Sequence, residues 1–384
     1  MTSPTPPVPD VDPRAERLLW VGGYTPEMGG TAPGLTAWVV PSDVGPSRPP
    51  RRVAVVPGDS PSYVVAAEGL VVAAHETTPG RVSATRPGSK EPLSVTVDAG
   101  GEGPAHVAVA GGHAVLAHYA GGSVSAVELS ADGRLGEVTG SVTFAGSGPH
   151  PDRQRSAHPH QVVVDLGGGE GTDSGEHTDG HDLLVADLGT DRIHRVRLAA
   201  DGSLTDLDDP IVLPAGSGPR HLVRTGDLVV VVCELTSSLW VARREDGSWH
   251  ETDHRSTLAK PLEPGWTSDA GVGNLPAAIC LVETGPGTTP DATVLVTNRG
   301  ADTVAVFTLD RASGTVHCTG DLPAAGTWPR DALVDGDLLW VANERSDGVA
   351  ALRWRLGDDA PAGARLGDVV ARIDTGSPTG LALT

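Results

Sequence analysis

One pattern recurs along this chain of 384 residues and constrains its fold more than any other feature. Clear copies begin at Gly103, Gly218 and Trp328. Each copy has a Pro-led apolar run, a Gly or Asp turn, a second Val/Leu run, a polar tip and a third run. Weaker copies begin at Pro61, Pro159 and Pro276, and a seventh is divided between the C-terminal SPTGLALT and the N-terminal LLWVGGYT. The chain is therefore built from seven similar units.

The repeat predicts an all-β protein. The proline that leads each unit recurs every 43 to 60 residues, which is room for four short strands and their turns. The runs are rich in β-branched residues and bounded by Gly, Asp or Pro, and none sustains a helical period. We therefore expect a seven-bladed β-propeller with four-stranded antiparallel blades. Pairing of the N- and C-terminal strands closes it and removes exposed sheet edges.

All seven units belong to one predicted domain, residues 17–384. The Pro-rich tail before it, residues 1–16, is expected to be disordered. Two stretches interrupt the repeat. The polar, Gly-rich insertion at 167–181 is expected to be flexible, and the longer loop at 252–273 carries Trp266 and is a candidate lid.

The charge of the chain excludes several classes of partner. There are 49 acidic and 28 basic side chains, so the formal net charge is −21. Such a surface repels nucleic acids and anionic membranes, and we expect neither as a partner. The N-terminus lacks the apolar stretch of a secretory signal, and Cys233, Cys280 and Cys318 show no CxxC spacing. A cytoplasmic protein with reduced thiols is therefore expected.

The polar tips and the strand starts are predicted to meet at one mouth of the central channel. In an antiparallel sheet the end of the second strand lies at the same edge as the start of the first. Arg220, Glu234 and Arg299 are long charged residues at nearly buried positions of this ring, where they need partners or a ligand. Short side chains such as Asp187 are instead expected to stabilise turns. A mixed cationic mouth suits a small anion.

His158 and His160 lie two residues apart in an HPH motif, which is expected to turn both imidazoles to one side of a strand. The pair suits a general acid or hydrogen bonds, and Asp187 or Glu234 would have to complete a metal site. Two histidines are a weak zinc signal, so no metal is predicted. The sequence contains no GxSxG motif, phosphate loop or dinucleotide fingerprint. We therefore expect neither covalent serine catalysis nor a cofactor.

Six motifs occur in order along the chain: VGGYT, RQRSAHPHQ, DLGTDRI, GSGPRHL, NRGADTVAVF and SPTGLAL. Together, from about residue 18 to the C-terminus, they resemble the lactonase family of seven-bladed propellers. This family includes bacterial 6-phosphogluconolactonases and fungal carboxy-cis,cis-muconate lactonizing enzymes. The resemblance implies an active site of one histidine, two arginines and a glutamate, which correspond in this chain to His160 or His158, Arg220, Arg299 and Glu234.

The resemblance implies hydrolysis of a small anionic lactone, such as a phosphorylated sugar lactone of the pentose phosphate pathway. In this interpretation Glu234 activates water as a general base and His160 protonates the departing ring oxygen. Two arginines, Arg220 and Arg299, stabilise the oxyanion. The predicted substrate-binding residues are Arg155 and Arg330, which take the anionic tail, with His158, His221 and Tyr119.

Two alternatives stay open on the sequence alone. The same site suits a cycloisomerase that closes a muconate ring. A propeller that binds a small anion or a protein partner at the channel mouth, without chemistry, would need a similar ring of side chains. In each case we expect a monomer or a weak dimer.

Overall fold

The structure, a computed structural model, describes residues 16–88, 95–165, 180–260, 262–263, 267–268, 273–283, 291–356 and 364–384. Its strands form seven antiparallel sheets, each of which is one blade. Blade 1 contains β1 (Glu16–Gly23), β2 (Leu35–Pro41), β3 (Arg51–Val56) and the C-terminal strand β29 (Pro378–Leu383). Blade 2 contains β4 (Pro61–Ala67), β5 (Leu70–His75), β6 (Arg81–Thr85) and β7 (Val95–Asp98). Blade 3 contains β8 (Pro104–Ala110), β9 (His113–His118), β10 (Ser123–Leu129) and β11 (Leu135–Thr143).

Blade 4 contains β12 (Pro159–Val164), β13 (Gly180–Asp187), β14 (Arg192–Ala199), β15 (Leu204–Asp206) and β16 (Ile211–Val212). Blade 5 contains β17 (Pro219–Thr225), β18 (Leu228–Cys233), β19 (Ser238–Glu245) and β20 (Ser248–Ser256). Blade 6 contains β21 (Leu275–Glu283), β22 (Ala292–Arg299), β23 (Thr303–Asp310) and β24 (Thr315–Pro323). Blade 7 contains β25 (Pro329–Asp335), β26 (Leu338–Asn343), β27 (Gly348–Leu356) and β28 (Ala364–Asp374). Two single-turn 3₁₀ helices are Pro26–Met28 and Glu344–Ser346.

The blades form a closed ring. Strands β29, β4, β8, β12, β17, β21 and β25 contact one another in this order, and β25 returns to β29, so these seven strands surround the axis. In blade 1, β29 pairs with β1 in antiparallel register, with Leu383 opposite Leu19 and Leu381 opposite Val21. The predicted seven-bladed propeller and its closure by the two terminal strands are confirmed.

The core lies between neighbouring blades, which explains the unbroken apolar runs. In β18, Val230 and Val232 pack into the cluster shared with blade 6, while Val229 and Val231 pack into the cluster shared with blade 4. Both faces of the strand are therefore dry, and each fully buried valine contributes about 1.5–3 kcal/mol of transfer free energy. Branched side chains fit such a two-sided, pleated surface better than long flexible ones.

Three predicted boundaries change. The tail prediction extends to residue 16, but Glu16 already belongs to β1, and residues 1–15 lie outside the described residues. The insertion predicted at 167–181 includes Gly180 and His181, which begin β13, while residues 166–179 are not described. The loop predicted at 252–273 starts too early, because β20 continues to Ser256 through its pairing with β19. Trp266, the residue that suggested a lid, lies outside the described residues.

The outer edge of blade 4 departs from a simple four-stranded sheet. Its fourth strand is divided into β15 and β16, which pair with the two ends of β14. Pro210 stands directly before β16, where a residue without a backbone N–H interrupts a ladder.

Within the described ranges, no helix has the length and apolar composition needed to cross a membrane.

Candidate active site

A β-bulge repeats at the start of every innermost strand. The pairing register shifts directly after the leading proline in β4, β8, β12, β17 and β25, and the same shift separates Pro378 from Gly380 in β29. In β21 the shift falls between Pro276 and Ile279. In the other six strands the residue that follows the proline is left out of the ladder, which re-aims its side chain. These six residues line one cavity: Ser62, Ala105, His160, Arg220, Arg330 and Thr379.

The cavity has a volume of about 320 Å³ and lies at one mouth of the channel. Polar tips from several blades complete its wall, among them Glu76, Tyr119, Glu234, Arg299 and Glu344. The strand starts and the polar tips therefore converge on this cavity, as predicted from the sequence. Five arginines and four carboxylates line the cavity of a protein whose formal net charge is −21.

Glu234 is the centre of a buried ion-pair cluster. Its Oε1 lies 2.7 Å from Nη2 of Arg153, and its Oε2 lies 2.5 Å from Nη2 of Arg299 and 3.1 Å from Nε of Arg220. Burial alone would raise the pKa of the Glu234 carboxyl, but the three guanidinium charges outweigh it and hold the pKa well below its usual range. Glu234 is therefore ionised and a weak proton acceptor, which argues against its predicted role as the general base.

Arg220 is a buried cation that its surroundings compensate only in part. Its Nη1 donates a hydrogen bond of 2.8 Å to the carbonyl oxygen of Ala277. Its Nε approaches Glu234 without hydrogen-bond alignment. Burial, followed by the neighbouring charge of Arg299, lowers the pKa of Arg220. An anion in the cavity would relieve this unfavourable charge.

A second charged network borders the cavity in blades 7, 1 and 2. Nη1 of Arg330 lies 3.1 Å from Oε2 of Glu344, and its Nη2 donates a hydrogen bond of 2.9 Å to the hydroxyl of Tyr24. Tyr24 in turn donates to Oε2 of Glu76 at 2.9 Å. Arg330, predicted to bind an anionic tail, is thus held at the cavity wall by fixed partners.

Neutral aromatic side chains lie near the axis. The rings of His160 and His221 are 5.3 Å apart, and His106 lies 5.8 Å from His221 and 4.0 Å from Tyr63. Burial first, and then the charge of Arg220, hold the pKa values of His160 and His221 well below the usual histidine value. Nδ1 of His160 and Nε2 of His221 have no hydrogen-bond partner among the described residues. Both rings line the cavity, and neutral imidazoles suit the hydroxyl groups of a ligand.

The neutral state of the His160 imidazole also affects its predicted role as a general acid. An imidazole whose pKa lies below neutrality carries one N–H and no excess proton, so it donates a hydrogen bond more readily than it transfers a proton. The structure thus places His160 in the cavity, as expected, and gives it the properties of a hydrogen-bonding group.

Two predicted substrate-binding residues do not line the cavity. Arg155 is exposed, donates to the carbonyl oxygen of Pro151 and pairs with Asp152 at 2.8 Å, so its predicted contact with an anionic tail is corrected. His158 lies behind Tyr119, with the rings stacked 4.6 Å apart and its Nδ1 2.8 Å from the Tyr119 carbonyl oxygen.

Several residues that line the cavity have no role predicted from the sequence. Arg153, two residues before Arg155 in the same RQR motif, bonds Tyr119 and Glu234. Asp331 follows the bulge residue of blade 7 and accepts the backbone N–H groups of Ala332 and Leu381 at 2.9 and 2.8 Å. Burial raises the pKa of Asp331 to about 6, against the lowering effect of these bonds. The remaining residues of the lining without a predicted role are Ser62, Tyr63, Glu76, Ala105, Leu275, Trp328, Glu344, Arg345 and Thr379.

The sequence contained part of the evidence that would have identified these lining residues. Asp331 directly follows a residue that was predicted to bind substrate, and the repeated position after the proline marks a ring of side chains. In the part of the chain that the structure describes, no group of three or more His, Cys, Asp or Glu residues is arranged to hold a metal ion. His158 and His160, the pair weighed as metal ligands, instead pack against Tyr119.

The fold and the site together define a β-propeller with a small-molecule pocket on its axis, built from arginines, carboxylates and neutral imidazoles. A family model described as lactonase, 7-bladed beta-propeller, matches residues 18–381. The chain therefore belongs to the lactonase family, as the resemblance implied.

Relatives within and near this family carry informative names. A 6-phosphogluconolactonase of Formosa agariphila is 25% identical over 67% of this chain and 68% of its own length. One from Bacillus subtilis is 28% identical over 61% of each chain. The solved periplasmic gluconolactonase of Pseudomonas aeruginosa has a TM-score of 0.76 and 23% identity, over 96% of this chain and 99% of its own, which supports the fold. Because that neighbour is periplasmic, a cytoplasmic location stays a prediction.

Proposed function

We propose that this protein hydrolyses the ring ester of a sugar lactone that carries an anionic group, with 6-phosphogluconolactone as the reference substrate. The names of two curated relatives support the reaction class. The observation that carries the proposal is Arg220, a buried and incompletely compensated cation facing a cavity. Ester hydrolysis develops negative charge on one oxygen, and a desolvated guanidinium stabilises such charge better than water does.

In the proposed mechanism Asp331 accepts a proton as water attacks the carbonyl carbon. Its raised pKa makes it a stronger base than an ordinary carboxylate while leaving it largely ionised at neutral pH. The carbonyl oxygen becomes an oxyanion, and Arg220 with Arg299 stabilises it. When the carbonyl re-forms, the bond to the ring oxygen breaks and the proton held by Asp331 passes to that oxygen. The product is an open-chain hydroxy acid.

Glu234 has a supporting role in this proposal. It fixes the positions of Arg153, Arg220 and Arg299 through the ion pairs described above, so that their donors are oriented before the substrate binds. The neutral imidazoles of His160 and His221, which line the cavity, then bond the ring hydroxyls. This feature favours a hydroxylated sugar ring over a muconate, whose polar groups are carboxylates.

The test compares Arg220→Met with the wild-type protein. Acid release from freshly prepared 6-phosphogluconolactone is followed by a pH indicator, with the spontaneous rate subtracted. Loss of one oxyanion donor is expected to lower turnover by about 10²–10³-fold. Arg155→Ala is the matched control, because it removes an exposed arginine outside the cavity and is expected to leave the rate unchanged.

Two results would contradict the proposal. The first is a wild-type rate equal to the spontaneous rate for both 6-phosphogluconolactone and glucono-δ-lactone. The second is full activity in Arg220→Met. Formation of a lactone from a muconate by the wild-type protein would instead support the cycloisomerase alternative.

A further inference from the structure

The residue before the leading proline adopts a left-handed backbone conformation in five of the blades. These residues are Ser60 (φ 38°), Gly103 (φ 55°), Gly218 (φ 61°), Trp328 (φ 64°) and Ser377 (φ 28°). In the other four of these blades, a glycine or a serine adopts this left-handed conformation. A bulky aromatic residue is strained in this region of backbone space, and such strain persists mainly at functional sites. The turn itself does not require the tryptophan of blade 7.

The side chain of Trp328 supplies a reason for its presence. It is buried, lines the cavity and lies beneath the guanidinium of Arg345, whose Cζ is 3.6 Å from the ring centroid. The backbone N–H of Arg345 donates to the carbonyl oxygen of Thr327 at 3.2 Å, which fixes the base of the side chain. Stacking on an aromatic face orients a guanidinium while leaving the N–H groups at its edge available.

Arg345 is not part of an ion pair within the part of the chain that the structure describes. Its neighbour Glu344 pairs with Arg330, and no carboxylate in the described ranges forms an ion pair with Arg345. Arg345 is also exposed, so it occupies the solvent side of the cavity, whereas Arg220 and Arg299 are buried. The cavity thus has buried arginines inside for a reacting ester and an exposed arginine at its solvent side with no assigned ligand.

We propose that Arg345, positioned by Trp328, binds a phosphate monoester of the substrate at the cavity mouth. This inference rests on the proposed lactone hydrolysis and specifies its substrate class. The planar fork of an arginine matches the oxygen geometry of a phosphate, and an exposed site accepts a dianion with little loss of hydration. The buried arginines are then free to act on the lactone carbonyl. Arg345 determines specificity, and Trp328 is a positioning residue.

The experiment measures kcat and KM for 6-phosphogluconolactone and for glucono-δ-lactone, which differ by the phosphate. Arg345→Ala is expected to raise KM for the phosphorylated lactone about tenfold or more, as expected for a lost charge-assisted hydrogen bond. The KM for glucono-δ-lactone and both kcat values are expected to stay within about twofold. Arg155→Ala, another exposed arginine, is the matched control for the loss of one positive charge.

Trp328→Met tests the positioning role, since it removes the aromatic face and retains Arg345. It is expected to raise the KM for the phosphorylated lactone selectively. Because Cζ of Arg299 lies 5.8 Å from the centroid of the same ring, any loss of kcat is expected to be equal for the two lactones. A purely structural tryptophan would lower both activities together with the melting temperature and leave both KM values unchanged. Arg345→Lys retains the charge without the planar fork and is expected to recover part of the loss.

A binding measurement separates this inference from the proposed reaction. Calorimetry with 6-phosphogluconate and with gluconate is expected to show tighter binding of the phosphorylated acid by the wild-type protein, and equal binding by Arg345→Ala. If no lactone is hydrolysed but this difference is found, the reaction fails and the phosphate site stands. Equal losses for both ligands, or no loss for either, would overturn the phosphate site, as would a wild-type protein that binds neither acid. Stronger binding of a carboxylate analogue than of the phosphate would also overturn it.

Discussion

Replacement of Glu234 by glutamine is expected to destabilise the fold as well as the site. The Glu234 side chain is 2% exposed and its carboxylate faces three guanidinium groups, so the glutamine variant leaves buried cations uncompensated. Breaking a buried ion pair by removing one partner costs about 3–5 kcal/mol. With an unfolding entropy of about 2.1 cal/mol/K per residue, this loss lowers the melting temperature of a chain this long by roughly 4–6 °C.

The effect has a defined pH dependence. The three arginines hold the folded-state pKa of Glu234 below its ordinary value of 4.5, so its contribution to stability is complete above about pH 4.5 and is lost as the pH falls toward the folded-state pKa. Melting curves at pH 7 and at progressively lower pH are therefore expected to show a difference between the wild-type and Glu234→Gln proteins that shrinks with acidification.

The control is Glu344→Gln. Glu344 pairs with a single arginine, Arg330, which is less buried than Arg220 and Arg299 and keeps its bond to Tyr24, so a smaller loss of about 1–3 kcal/mol is expected. Adding Arg153→Gln to Glu234→Gln removes one uncompensated cation and is expected to recover part of the lost stability. A Glu234→Gln protein that melts like the wild type but has lost turnover would refute this reasoning and restore the general-base interpretation.

Three further outcomes follow from the structure. The kcat/KM of the wild-type protein is expected to rise with pH through an apparent pKa of about 6 as Asp331 ionises. Asp331→Asn is expected to abolish this rise and most of the activity. A rise that persists unchanged in the variant would exclude Asp331 as the base. Asp187→Asn is expected to lower the free energy of unfolding, measured with denaturant, by about 2–4 kcal/mol. The buried carboxylate accepts four hydrogen bonds, including those from Thr190 and His194, and an amide cannot accept them all. A smaller loss would mean that water replaces these bonds. Ending the chain at Gly376 removes β29 and is expected to abolish the cooperative thermal transition; a sharp transition would show that blade 1 closes without it.

The ring could be predicted from sequence because its evidence is repeated. Each unit carries the same proline and the same alternation of apolar runs and polar tips, so an error in one unit is corrected by the other six. The positions of His160, Arg220, Glu234 and Arg299 follow from the repeat, since they occupy equivalent strand starts and tips. Only antiparallel geometry is needed to bring them together.

Positions outside the repeat could not be predicted in this way. The segment before β12 has no period, and the side chain of Gln154, which bonds Asp191 and the carbonyl oxygen of Leu188, determines how it folds. That contact places Arg153 in the cavity and Arg155 in solvent. The pKa of Glu234 was equally inaccessible, since its direction depends on the distances to three arginines from three different segments.

The bulge after each leading proline has a consequence for how such a molecule diversifies. Its side chain takes no part in the ladder, so a substitution there alters what the axis offers a ligand without altering strand pairing. Of the six such residues that line the cavity, His160, Arg220 and Arg330 are large and polar, whereas Ser62, Ala105 and Thr379 are small. A library of variants confined to these three small positions is therefore a direct route to new ligand preferences.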